Sequence, residues 1–259
     1  MKGYTRYSYV QARLQSRHGE RPTAQEWKRL TAITSLSHFL QAARKGPLRR
    51  WLFETGPQSH VHEMELSLRR HFRGHIREVA GWMPSPWRPA VVWTRHLPDL
   101  PALAHLLQGD PAPRWIHDDP ALKAIAGVEF DQRRRELAVT EKAPLLAGVR
   151  DEKPPALARA WYRHWRRLWP EVDRATAEHL RETAETVARA RALLASARID
   201  RSGPVLEALE AKLVRLFRRH THEPATAFIH LALTGLLLER VRGALAVRIL
   251  FPPRSGEAA

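Results

Sequence analysis

The amino-acid sequence predicts an all-α fold, and three observations carry that prediction. Met64, Leu68, Phe72, Ile76 and Val79 recur at three- and four-residue steps, the repeat of one helix face. Trp161, Trp165 and Trp169 recur at every fourth residue and form a second such face. From about 224 to 250 the chain is apolar on most sides, as in a buried helix, and Pro224 suits a first helical position that needs no amide donor.

The other elements follow in chain order. Residues 4–14 read as an opening helix with Tyr9 and Arg13 four apart on one face. Thr23 and Glu26 form a capping box for a helix with Trp27, Leu30 and Ile33 on its apolar side. Ser35 is placed to cap the next helix, with Leu36, Phe39 and Leu40 inward, and Gly46-Pro47 breaks it. Residues 59–80 form the long helix of the Met64 repeat, and Gly81 ends the pattern. Residues 82–101 hold five prolines and Trp82, Trp87 and Trp93, which reads as a packed loop with one short extended piece at Val91-Val92-Trp93. Asp99 caps a short helix that buries Leu100, Leu103, Leu106 and Leu107 and stops at Gly109.

Residues 127–140 fit either a helix or a pair of strands, and 127–154 as a whole is the least readable part of the chain. The run Asp151-Glu152-Lys153-Pro154-Pro155 reads as a boundary, dividing the chain into helical lobes at 1–150 and 151–259, or else lying within one continuous domain. Beyond it come the tryptophan helix ended by Pro170, a helix near 174–199 with a seam of Leu180, Ala184, Val187 and Leu194, and one near 204–220 with Leu206, Leu209, Leu213, Leu216 and Phe217. Pro252-Pro253 stops the last helix.

Charge and composition narrow the function classes. The 43 Lys and Arg against 27 Asp and Glu leave a formal charge of +16. Both halves contribute, +10 from residues 1–150 (24 basic, 14 acidic) and +6 from 151–259 (19 basic, 13 acidic). Such a field favours an acidic partner, whether nucleic acid, anionic lipid or acidic protein. Arg133, Arg134, Arg135, Arg163, Arg166, Arg167, Arg218 and Arg219 are the candidate contacts for that partner. The absence of cysteine excludes disulfides and thiolate chemistry and fits a reducing compartment. No secretory leader is visible at 1–10, and the longest apolar run, interrupted by His230 and Thr234, is too short to span a bilayer. A soluble or peripheral protein is therefore expected.

No motif for chemistry stands out. GxxxxGK[ST], GxGxxG and GxSxG are all absent. His71 and His75, with Glu78 one turn on, share a helix face, but HExxH is missing and an ordinary polar face is the preferred reading. His60-x-His62-Glu63 and His220-x-His222-Glu223 are weaker versions of the same signal, and Asp118-Asp119 before Pro120 reads as a helix cap. No catalytic residue, metal ligand or cofactor is expected. The Trp161 face is interleaved with Arg163, His164, Arg166 and Arg167, which suits base stacking or a lipid interface. Inward packing is favoured, because a strict four-residue step is what a core requires.

The order of these segments resembles the C/d subunit family of V-type and A-type rotary ATPases. Tyr9-Val10-Gln11-Ala12-Arg13-Leu14 is similar to the family's opening Y-x-x-A-R-x-R helix, and Phe39-Leu40 to the Phe-Leu pair that follows. Residues 99–109 resemble its D-x-x-N-L-x-x-L-L-x-G segment, and Asp119-Pro120-Ala121-Leu122 its next helix start. Glu223-Pro224, Phe228-Ile229 and Glu239-Arg240-Val241-Arg242 resemble its terminal helix. Gln15 and Ala102 depart from the pattern, standing where the family has Arg and Asn, and the chain is shorter than three full lobes. The resemblance implies pseudo-repeated helical lobes in a funnel or bundle. It also implies a non-catalytic socket that couples the central stalk to the membrane rotor ring, with Tyr9, Arg13, Glu239 and Arg242 as family-like structural positions. The alternative is a basic helical protein that binds nucleic acid, resting on charge and the Trp/Arg helix.

Overall fold

The helical periodicities are realised. A computed structural model describes residues 2–147, 154–196 and 202–251, and among them every regular element is helical. The chain begins with α1 (Lys2–Gly19), α2 (Ala24–Ala32), α3 (Leu36–Arg44), the single turn α4 (Arg49–Leu52) and the long α5 (Val61–Trp82). Short helices follow: α6 (Arg88–Trp93), α7 (Leu100–Leu107), α8 (Arg114–Asp118), α9 (Lys123–Ala126) and α10 (Phe130–Ala138). The chain then forms α11 (Pro154–Arg167), α12 (Arg174–Ser196), α13 (Ser202–Arg219) and α14 (Pro224–Leu250). No helix among the described residues is long and apolar enough to cross a membrane.

Two compact units share the chain. One comprises Met1–Pro57, Glu78–Ser85 and Glu171–Ala259, the other Gln58–Arg77 and Pro86–Pro170. The run at 151–155, where the sequence reading divides the chain, lies mostly outside the described residues; the units part at Pro170 and within α5 instead. The tryptophan face explains why α11 stays with the short helices. The Trp93 Nε1 donates to the Trp161 carbonyl and the Trp161 Nε1 to the Trp93 carbonyl, each at 3.2 Å.

In the first unit α14 is the spine, packed by α1, α3, α12 and α13. Its buried positions run from Pro224 to Arg248 and lie on most sides, as the sequence pattern requires. The capping box forms at α2: Thr23 Oγ1 accepts from the Glu26 amide and Glu26 Oε2 from the Thr23 amide. The other end of α2 is closed from a distance. Arg248 donates to the Leu30, Thr31 and Ile33 carbonyls at 3.1, 3.1 and 2.8 Å and lies over the Phe39 ring. A buried guanidinium is thus held by the last carbonyls and negative end of a helix, where the Leu30 carbonyl also accepts from the Ile33 amide.

The segment 82–101 corrects the expected loop. Its residues form a 3₁₀ turn (Ser85–Trp87), α6, and a second 3₁₀ stretch (Thr94–Asp99) that runs into α7. Val91 and Trp93, expected to be extended, are helical and buried. Pro89 and Pro101 sit in the first turns of α6 and α7, where a missing amide breaks no bond, so proline density here signals repeated helix starts. The 127–140 ambiguity resolves as helix in α10. The end of the helix expected at 174–199 and the Pro252-Pro253 stop lie outside the described residues.

Two caps differ from expectation. Ser35 occupies the cap position of α3 but makes no capping hydrogen bond. Asp99 precedes α7 without capping it, because the 3₁₀ stretch already supplies acceptors; the Leu100 amide donates to Leu97. Gly109 does stop α7, with φ at +89°.

Candidate functional site

The buried charges of the second unit converge on Asp99 and Asp119, which are 1% and 0% exposed. Arg69 and Arg73, four apart on α5, both donate to Asp99 Oδ1, at 2.7 and 2.9 Å. Arg73 also grips both oxygens of Asp119, at 2.7 and 2.9 Å, in the forked geometry that guanidinium and carboxylate share. Arg69 is completed by Glu65, by the Pro98 carbonyl and by the Trp115 ring beneath it. Asp119 Oδ1 in turn accepts from the Ala121 amide, and Lys142 donates to the Ala121 carbonyl. Burial alone would push the Asp99 carboxyl up, but His96, Arg73, Arg69 and Lys142 outweigh it and hold it below the ordinary aspartate range. Burial pushes His96 and Lys142 down. These internal bonds tie α5, α7 and the α8–α9 turn together, while Asp99 Oδ2 and His96 Nδ1, buried 3.9 Å apart, are left without a hydrogen bond.

The tryptophan face points inward. Trp161 and Trp165 are buried, their rings 5.6 Å apart, and Trp169 meets Trp165 edge-on at 4.8 Å. The arginines between them, Arg163, Arg166 and Arg167, are exposed, and Arg166 lies over the half-buried Trp169 ring, 6.0 Å from its centroid. Arg134, Arg135, Arg218 and Arg219 are exposed too. Arg133 is different, half-buried and donating to the Leu106 carbonyl at 2.8 Å at the end of α7. Tyr9 and Arg13 lie exposed on α1, with Arg13 over the Trp82 ring, and Arg242 pairs with the exposed Glu239 at 2.7 Å.

The expected histidine face does not gather ligands. His71 Nδ1 is 2.8 Å from the Ser67 carbonyl, and Glu78 is taken by Arg17 and Arg50 at 2.6 and 2.9 Å. A different cluster forms in the first unit. His179 of α12, His220 at the end of α13 and Glu223 at the start of α14 place three ligand-type atoms within 4.8 Å of one another. His179 Nδ1 donates to Glu223 Oε2 at 2.6 Å, and His220 Nδ1 lies 3.5 Å from the same oxygen. Burial pushes His220 below the ordinary imidazole range, with His179 adding to the effect. The sequence holds half of this signal, since His220 and Glu223 are three apart. His179 is more than 40 residues away, and only the packing of α12 on α13 and α14 brings it in.

Comparison with known proteins adds no name to this geometry: no protein-family model, no curated protein and no solved structure matches the chain.

Proposed function

We propose that this chain is a non-catalytic coupling subunit of a rotary ATPase, a shortened relative of the C/d subunits that seats the central stalk on the membrane rotor ring. One observation carries the reading. Asp99, Gly109 and Asp119, in the segments that resemble that family, are structural fixtures of the second unit. Asp99 and Asp119 are the acceptors of the Arg69–Arg73 network, and Gly109 closes α7 in the left-handed conformation. A part that transmits torque needs a stiff body, and multidentate buried ion pairs between helices resist shear. Exposed arginines such as Arg134, Arg135, Arg166, Arg167, Arg218 and Arg219 would supply a polar docking surface for an acidic stalk subunit or the ring's polar loops. Location at the cytoplasmic side of a membrane, through those partners, belongs to the same proposal.

The test is a pull-down with this chain as bait from its own membranes. Recovery of stalk and ring subunits is expected, and failure to recover them from membranes that contain the assembled ATPase would sink the reading. The nucleic-acid alternative loses its stacking platform, because Trp161 and Trp165 are buried.

A further inference from the structure

His179, His220 and Glu223 are held together by an unusual turn. The chain passes from α13 to α14 through His222 at φ +64°, the one non-glycine residue with positive φ among the described residues. That conformation is disfavoured for a side chain larger than glycine. It is fixed by Gln11 of α1, itself buried, whose Oε1 accepts from the His222 amide at 3.0 Å. The turn brings His220 and Glu223 round to face His179. Glu223 stands at the cap position of α14 yet makes no capping hydrogen bond, and its carboxylate is turned to the two imidazoles instead.

We propose that His179, His220 and Glu223 form a binding site for a borderline divalent cation of the zinc class, with Glu182 orienting His220 from outside the coordination shell. Two imidazoles and one carboxylate are a donor set that zinc takes, leaving a fourth position for water. The spacing fits. Tetrahedral bonds of about 2.0–2.1 Å place neighbouring ligand atoms about 3.3 Å apart. His220 Nδ1 and Glu223 Oε2 are at 3.5 Å. His179 Nδ1 donates to Glu223 Oε2 at 2.6 Å, and a cation would take the place of that N–H between the two atoms as they part to ligand spacing.

The far nitrogen of His220 supplies an independent pointer. His220 Nε2 is buried without a hydrogen-bond partner, 3.7 Å from Glu182 Oε2. An imidazole that ligates through one nitrogen commonly donates its other N–H to a carboxylate, and Glu182 lies where that carboxylate belongs. His220 is 1% exposed, whereas His179 and Glu223 are 24% and 32% exposed, so an ion has an open side by which to enter. Arg219 and Lys212 each lie 3.9 Å from Glu182 and tie that carboxylate outside the shell.

The site stands independently of the coupling role and is tested without it. The tag-free 259-residue chain is titrated with Zn²⁺ by calorimetry, and its thermal melting is followed with and without the metal. One saturating ion per chain and a higher melting temperature are expected. His220→Gln and Glu223→Gln should weaken binding by at least about 100-fold, and Glu182→Gln by about 10- to 100-fold, the usual effect of an outer-shell carboxylate. His71→Gln, on the other unit, should change nothing. If His220→Gln fails to fold, His179→Gln at the partly exposed position serves in its place. Absence of saturable binding would overturn the proposal. So would an affinity that His179→Gln and Glu223→Gln leave unchanged, since the ion would then sit on other histidines.

Discussion

Replacing Asp99 by alanine should unfold the second unit far more easily than its small volume suggests. Asp99 is 1% exposed and accepts from both Arg69 and Arg73. Each charge-assisted bond of this kind is worth about 1.5–3 kcal/mol. Removing the acceptor also strands positive charge, and breaking a buried pair from one side typically costs about 3–5 kcal/mol. Here the lower end applies, because Arg69 keeps Glu65 and Pro98 and Arg73 keeps its fork on Asp119. We therefore expect a loss of about 3 kcal/mol, or a fall in melting temperature of roughly 6–12 °C for a chain of this size. Asp99→Asn keeps the shape and one acceptor and should lose about half as much. Urea unfolding followed by tryptophan fluorescence reads the effect, since six of the nine tryptophans (87, 93, 115, 161, 165 and 169) belong to the second unit. Pairing Asp99→Ala with Arg73→Met in a double-mutant cycle should give a coupling above about 1 kcal/mol. A loss below about 1 kcal/mol for Asp99→Ala would refute the claim that this network holds the unit together.

Three further outcomes follow from the structure. Arg248→Met keeps the apolar stem but takes the guanidinium from the Leu30, Thr31 and Ile33 carbonyls, of which Leu30 keeps the Ile33 amide, and should cost about 2–3 kcal/mol in denaturant unfolding. Gly109→Ala forces a β-carbon into the left-handed region and to 3.3 Å from the Phe130 ring; because Phe130 is exposed and can swing aside, the backbone term of about 1–2 kcal/mol should dominate. Stability should fall in two acid stages, measured as unfolding midpoint against pH. His18, His96 and His220 are held neutral chiefly by burial, so as pH drops through about 6.5 the unfolded chain takes up protons that the folded chain refuses. Asp99, whose folded value is depressed, stabilises above the ordinary aspartate value of about 3.9, and that contribution disappears as pH falls below it. A flat profile between pH 7 and 5 would contradict the first stage.

Local patterns were legible and long-range pairings were not. The face of α5, the capping box at Thr23, the spine α14 and the stop at Gly109 each rest on neighbours within a turn or two, which sequence spacing displays directly. The helices between 82 and 101 were hidden because proline both ends helices and begins them, and only the position within the first turn separates the two. Asp99 carried a local signal, that of a helix cap, and its true partners lie 30 and 26 residues away on α5. His179 gave almost no signal: no histidine lies within a turn of it, and Glu182, three residues on, meets His220 only through the packing of α12 on α13. The tryptophan stripe shows the converse: the same spacing served stacking and packing equally, and the reciprocal bonds to Trp93 decide for packing.

The coupling role is tested most directly from the opposite side, by purifying the rotary ATPase of the same cells through its catalytic sector and determining its composition by native mass spectrometry. The account predicts this chain in the intact complex, in fixed ratio to the central stalk and lost when the ring separates from the soluble sector. An intact, rotating ATPase that contains no copy of this chain would contradict it.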